Sequence, residues 1–478
     1  MTIENHLEKL GTLIVKLIEN NKIEQAITVS KLLAYNYYDY NQKYTDTILE
    51  NNLIVIREKI LTRQEYIPNK KCVLFYDGFG LDLRGWAASY MRAFSKLNYF
   101  VVYICPQSSQ YKIPHIVSEL DQSNIIIYIE DRLNNIDKIQ KINNIFEKYR
   151  PGTAFFYTKP DDVDAAIAFS NNESATRFQI DLTDHAYWIG VNAFDYIIDG
   201  REMGASIAYY ERKISRDKII KLDCVPYINK DKYDDKLPFD IYKEQYVFTG
   251  GALYKTLGDS ELLYYKTIND ILCRYPKIKF LYAGSGDETE IKKIISKYPQ
   301  RAFLIPERPD FYDLIKNCVL YINSYPMFGG LMMRYAALAG KIPITLKHDN
   351  DSDGILFNQS ELGIEYDNYR DYMNEIYNLL EDDNYRKQKE KLVSDSVMSE
   401  EDFFHNLDML IKSQKTEYSF EKIDRFDTSE FRKEYKKRYS KKTLYKTVAQ
   451  KQNIGIIKYL PIEFFVGGIL RVKEKLCK

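Results

Sequence analysis

The spacing of hydrophobic positions changes character along the chain. Up to about residue 67 they repeat at helical intervals: Leu10, Leu13, Ile14, Leu17 and Ile18, then Ile27, Leu32 and Leu33, then Ile48, Leu49, Leu53 and Ile56. Proline is absent until Pro68, which closes the segment. No fixed-period self-similarity runs through it, so the pattern predicts a helical N-terminal segment, 1–68, and not a repeat array.

From Lys71 the pattern becomes short apolar runs separated by amphipathic stretches. The runs are CVLFY (72–76), YFVVYIC (99–105), NIIIYI (124–129), TAFFY (153–157), FQIDL (178–182) and FDYIID (194–199), with helices expected over 86–97 and 134–149. After the polar stretch Asn229 to Lys243 a second series follows: QYVFTGG (245–251), KFLYAGSG (279–286), AFLIP (302–306), VLYINS (319–324) and KIPIT (341–345). Helices are expected over 260–275, 287–298, 310–317, 330–339, 368–380 and 400–412. Continuous apolar strands alternating with helices imply parallel sheets covered on both faces. The predicted fold is therefore α/β, with two Rossmann-like doubly wound domains at 69–243 and 244–412 and a tail at 413–478. Ligands of such sheets sit outside the carboxyl ends of the strands, so two units facing each other across a cleft would hold them there.

Composition narrows the class. With 478 residues the chain is long enough for two or three cores, and 45% hydrophobic with 28% charged residues excludes wholesale disorder. The six cysteines lie far apart with no CxxC pair, which argues against a disulfide framework or zinc ribbon. The N-terminal MTIENHLEKL lacks the basic and apolar segments of a signal peptide, and no long uncharged apolar run appears, so a cytoplasmic protein is expected. The formal charge is zero overall, yet Arg432 to Lys478 holds 14 Lys or Arg against three acids, a local +11. That asymmetry points to a local anionic partner and not to a nucleic-acid-coating surface. Its apolar stretch 454–472, broken by Lys458, Pro461 and Glu463, suits either an anionic membrane interface, placing the protein peripherally on the inner membrane face, or packing on the first domain.

Candidate chemistry lies just past predicted strand ends. In the second domain Gly250 and Gly251 with Lys255 can approach an anion, glycine through its amides and lysine as a point charge. Gly284 and Ser285 close the next strand, and Arg308, Asp310 and Phe311 open a short helix that could hold a ring edge. Tyr325 through Leu331 carries Gly329 and Gly330 at a predicted helix start, where unpaired N–H groups and the helix dipole suit a diphosphate. Each also has a plain reading as a turn or close-packing glycine.

The order TGG-x3-Lys, AGSG, PERPDFYDLI, then NSYPMFGGLMMRYAALAGKIPIT resembles the nucleotide-sugar half of GT-B-fold glycosyltransferases over about 245–412, and the two-domain layout extends this over 71–412. The resemblance implies that Gly250, Gly251 and Lys255 meet a sugar donor's diphosphate from one side and Gly329, Gly330 and Leu331 from the other. The loop Arg308 to Phe311 would then lie near the base. Many retaining members carry Glu-x7-Glu here, whereas this chain has Met327 and Tyr335. Gly-Gly at a helix start looks closer to the inverting, protein O-GlcNAc-transferase-like group, although that group's glutamate is also missing at Tyr335; the outcome stays open between retention and inversion, with inversion favoured.

The first domain would hold the acceptor. Its loop Asp77 to Trp86 offers Gly78, Gly80 and Arg84 for phosphate or sugar. His185 is the one histidine of five set among carboxylates at a predicted strand end, so it is expected either to deprotonate an acceptor hydroxyl or to hydrogen-bond the departing phosphate, with Asp77, Asp181 and the adjacent Asp184 as rival bases. No HExxH, Cys/His cluster or convincing DxD argues for a metal; Asp349 to Asp353 reads as a solvated loop. The function implied is a metal-independent glycosyltransferase with no resident cofactor, moving a sugar from a nucleoside-diphosphate donor, UDP in particular, to a glycan, lipid-linked or protein acceptor. The alternatives are a catalytically inactive GT-B-like partner of an active transferase, and a non-hydrolysing sugar-nucleotide epimerase.

Overall fold

The computed structural model describes residues 2–63, 65–82, 86–228, 233, 236–347, 354–450 and 454–476. Arg84, His348, the run Asp349 to Asp353 and Cys477 lie outside these. The chain forms two compact units: Met1–Leu222 with Phe404–Lys478, and Asp223–Phe403. The second unit thus starts upstream of the boundary expected at 243/244 and ends inside the helix Glu400–Ser413, whose later residues, among them Leu407 and Leu410, are buried in the first unit.

The first unit is built on seven parallel strands: β1 (Asn69–Asp77), β2 (Phe100–Pro106), β3 (Ile125–Ile129), β4 (Pro151–Tyr157), β5 (Thr176–Ile180), β6 (Tyr196–Asp199) and β7 (Ile219–Lys221), ordered β3-β2-β1-β4-β5-β6-β7. The period of two in β1 shows why both faces are covered. Cys72, Leu74 and Tyr76 enter one core, and Phe75 points the other way to Tyr90, Phe94 and Phe155 at ring separations of 5.6, 6.2 and 6.2 Å. The strand β7 and the helix Val163–Ser170 were not evident in the sequence. The first has three residues, and the second is buried all round and so shows no amphipathic period.

The N-terminal segment forms α1 (Ile3–Glu19), α2 (Ile23–Tyr40) and α3 (Thr47–Ile60). Their apolar residues share one continuous core with β1 and β4, so the segment is part of the first unit's fold and not a detached cap. The tail packs into the same core through Tyr439, Leu444, Val448 and Leu460, with the Tyr439 hydroxyl donating to Asn36 Oδ1 at 2.8 Å. Of the two sequence readings, packing on the first unit is therefore met by one face of the tail. Among the described residues no helix is long and apolar enough to cross a membrane.

The second unit has six parallel strands: β8 (Tyr246–Gly250), β9 (Lys279–Ala283), β10 (Ala302–Ile305), β11 (Leu320–Ile322), β12 (Pro343–Leu346) and β13 (Glu365–Tyr366), ordered β10-β9-β8-β11-β12-β13. In both sheets the strand order reverses beside the first strand, between β1 and β4 and between β8 and β11. The loops at those carboxyl ends are where a doubly wound sheet binds its ligand.

Candidate functional site

In the second unit the loops after β8 and β11 flank the reversal point and are tied together. The Met327 amide donates to the Lys255 carbonyl at 3.1 Å, and Lys255 Nζ lies 3.5 Å from the Phe328 carbonyl. Asn323 shapes the second loop: its Oδ1 accepts the Ser324 and Gly329 amides, each at 3.0 Å, and its amide donates to Thr345 Oγ1. The helix Gly330–Leu338 then begins with no side-chain cap. The first-turn N–H groups of Gly330, Leu331 and Met332 have no acceptor within the helix and carry the positive end of its dipole.

Lys255 gives this cradle its charge. Burial pulls its pKa down from the ordinary lysine value, and among the described residues no carboxylate pairs with it. A desolvated cation without a counter-charge is costly in an apo protein and is relieved by an anionic ligand.

Several expected contacts are engaged within the protein. The Gly251 amide donates to Ala283 and the Gly284 amide to Ile305, each at 2.9 Å, so neither points to a ligand. What these glycines supply is closeness: a Cβ on Gly284 would lie 1.9 Å from the Gly251 carbonyl oxygen, and one on Gly250 would lie 2.6 Å from Met332 Cε. Ser285 Oγ donates to Glu307 at 3.2 Å. Arg308 is buried and forms a two-pronged pair with Asp310 at 2.6 and 2.7 Å, its guanidinium 4.8 Å from the Tyr233 ring. Phe311 stands edge-on to Tyr335 at 4.7 Å, and the Tyr335 hydroxyl donates to the Tyr227 carbonyl at 2.7 Å. Tyr325 is partly buried in the loop just described.

In the first unit the loop after β1 is likewise self-satisfied. The Gly78 amide donates to Tyr157, and Asp77 Oδ1 accepts the Phe79 and Gly80 amides while its Oδ2 takes the Tyr103 hydroxyl at 2.6 Å. Asp77 is fully buried, and burial raises its pKa against those bonds. This carboxylate sets the loop; the structure does not present it to a substrate. Gly78 allows the loop after β4 to come close, since a Cβ there would lie 2.5 Å from Asp162 Oδ2.

The loop after β5 has different properties. His185 is one-third exposed, with Nδ1 3.2 Å from Asp184 Oδ1. Asp184 is also gripped by Arg201 through Nε and, at 2.6 Å, Nη2. Burial would raise the Asp184 carboxyl, but Arg201 and His185 outweigh it and hold it well below the carboxylate range. An ionised carboxylate on Nδ1 fixes the orientation of the imidazole ring. Asp181 and Asp199 sit behind, fully buried; burial pushes Asp181 up to about 7 and, with Asp181 and Asp184 adding repulsion, Asp199 well above its ordinary value.

Three residues the sequence did not flag hold this loop rigid. Arg212 Nη2 donates to the Thr183, Asp184 and Ala186 carbonyls at 3.4, 3.1 and 2.7 Å. Asn41, just past α2, donates to the His185 carbonyl, and Glu50 of α3 accepts the Gly190 amide at 2.8 Å. These partners are between 26 and 144 residues away in the chain, so no local pattern announces them.

No family model matches the chain, and no curated protein matches its sequence. Solved structures match its fold. A glycosyltransferase from Rickettsia africae ESF-5 aligns with 72% of this chain and 98% of its own at 12% identity and TM-score 0.52. Anabaena Alr3699/HepE, solved with UDP and glucose, aligns over 72% and 99% at 13% identity and TM-score 0.51. A candidate UDP-N-acetylglucosamine 2-epimerase from Listeria monocytogenes aligns over 75% and 98% at 11% identity and TM-score 0.53. At these identities the likeness is one of fold, and the chain has the two-domain α/β architecture of the GT-B proteins.

Proposed function

We propose that the protein is a cytoplasmic glycosyltransferase that takes a sugar from a nucleoside-diphosphate donor, a UDP sugar, without a metal ion and passes it with inversion to a hydroxyl of a glycan, lipid-linked or protein acceptor. The observation that carries this is Lys255, a partly buried cation with no carboxylate partner among the described residues, laced to the loop that opens the uncapped helix Gly330–Leu338. HepE, a fold neighbour solved with UDP and glucose, supports UDP as the nucleotide.

On this reading the acceptor oxygen forms a bond to the anomeric carbon as the bond from that carbon to the diphosphate breaks. The acceptor proton passes to His185, and the charge arriving on the diphosphate is met by Lys255 and the helix amides. Calorimetric titration with UDP and with GDP, each with and without EDTA, tests the donor half. Micromolar binding of one nucleotide that survives EDTA supports the proposal, and binding of neither removes it.

One observation favours a second reading, an inactive GT-B-like partner of an active transferase. Where related enzymes place a carboxylate, Tyr335 is buried and its hydroxyl is spent on the Tyr227 carbonyl. That reading predicts no nucleotide binding and no sugar transfer.

A further inference from the structure

The helix Pro461–Leu476 has two unlike faces. Its inner face is committed to the protein. Glu463 is buried, with Lys9 Nζ at 3.2 Å and His6 Nδ1 at 3.6 Å, and Arg471 donates to the Ala449 carbonyl at 3.3 Å. Gly467 lies so close to the preceding helix Lys441–Gln450 that a Cβ would sit 1.9 Å from the Tyr445 carbonyl oxygen. These contacts fix the rotation of the helix about its own axis.

The outer face is consequently held away from the protein, and it is apolar. Ile462, Phe465, Val466, Ile469 and Val472 are between 37% and 69% exposed. Their spacing of three and four residues puts them in one stripe along the helix. Exposed lysines bracket the stripe, Lys458 before it and Lys473 and Lys475 at its end, with Lys441 and Lys442 exposed on the neighbouring helix. At 16 residues the helix is about 24 Å long, too short to span a bilayer.

We propose that this helix is an interfacial anchor whose outward stripe lies in the surface of an anionic lipid bilayer while its inner face stays docked on α1 and the helix Lys441–Gln450. An apolar stripe rimmed by lysines is what such a surface selects: the side chains enter the acyl boundary and the ammonium groups meet lipid phosphates and carboxylates. Charge argues against a second copy as the occupant, because each copy would bring the same excess, 14 basic residues against three acids over 432–478, to its partner. The proposal does not depend on the transferase reading.

The test is flotation of the full chain with vesicles of phosphatidylcholine alone and of phosphatidylcholine with about one third phosphatidylserine. Binding is expected on the anionic vesicles only, weakened about tenfold when salt is raised from ~0.1 to ~0.5 M. The double variant F465S/I469S changes two exposed positions, so its thermal unfolding should be unchanged while anionic-vesicle binding falls at least about tenfold. In Phe465→Trp, the added emission should shift to the blue when anionic vesicles are present. The proposal is overturned by no binding to anionic vesicles, by binding that F465S/I469S retains in full, or by a dimer in sedimentation velocity that F465S/I469S dissolves.

Discussion

Asn41 donates its side-chain amide to the His185 carbonyl and accepts the Tyr187 amide, both at 3.1 Å. It can do so because it ends α2 in a left-handed conformation, φ 42°, which asparagine tolerates better than most residues. One side chain thus stops a helix and pins the loop that carries the candidate base. Asn41→Ala removes this partner from both backbone groups and keeps the strained φ, so a loss of about 2–3 kcal/mol is expected in urea unfolding. On the proposed function, turnover falls while UDP affinity stays within about twofold, because Lys255 is untouched. A parallel loss of UDP affinity would mean that Asn41 supports the whole protein and not this loop.

Glu50 makes the second clamp and adds a pH dependence. Burial pushes its carboxyl from 4.5 up to about 7, against the Gly190 and Val191 amides it accepts. Below about pH 4.5 both folded and unfolded chains hold this proton. Between about 4.5 and 7 the folded chain holds a proton that the unfolded chain has lost, so stability falls as pH rises through that window and is level above it. Glu50→Gln retains the accepting Oε1 and has no charge to bury. It should be more stable than the parent at pH 8, on the order of 2 kcal/mol, with the gap closing toward pH 4.5. Denaturant melts of both proteins across this range check the sign; a gap that widens toward acid would contradict it.

How much was legible follows from what each feature depends on. The strands containing CVLFY and YVFT were readable because parallel strands buried on both faces are continuous apolar runs, and Gly330 was readable as a helix start because a glycine pair stands between such a strand and a run that ends at Gly340. β13, with two residues, and the helix Asp383–Ser394, with Val393 alone buried, offer no such signal. Residue type singled out Lys255 as a candidate in the second unit and the pair Asp184–His185 as candidates in the first. It could not show that the Gly251, Gly284 and Gly329 amides are already bonded, or that Asp77 closes its own loop, because hydrogen-bond partners are a property of the fold. Asn41, Glu50 and Arg212 were invisible for the same reason.

Lys255 should trade stability for binding. Its ammonium is desolvated with no described carboxylate beside it, so Lys255→Met removes a burial penalty while keeping an unbranched side chain. Thermal unfolding without ligand is expected to move up, by the equivalent of about 1 kcal/mol, and UDP affinity to fall about tenfold to a hundredfold. Unchanged UDP affinity would remove Lys255 from the donor site.

Tyr335 separates an active transferase from an inactive relative most directly. Its hydroxyl donates to the Tyr227 carbonyl at 2.7 Å, and its ring packs edge-on to Phe311. Burial raises the phenol's pKa, so the hydroxyl stays a donor at any physiological pH. Tyr335→Phe keeps the ring and loses the bond, leaving a carbonyl without that partner at a cost of about 1 kcal/mol. If the hydroxyl serves only the fold, UDP affinity and transfer are both retained within about twofold. If instead UDP affinity drops tenfold or more with the melt barely moved, the hydroxyl leaves Tyr227 for the nucleotide when donor binds. Tyr335 would then stand in for the missing glutamate as a hydrogen-bond donor to the ligand, and the case for an inactive protein would lose its one supporting observation.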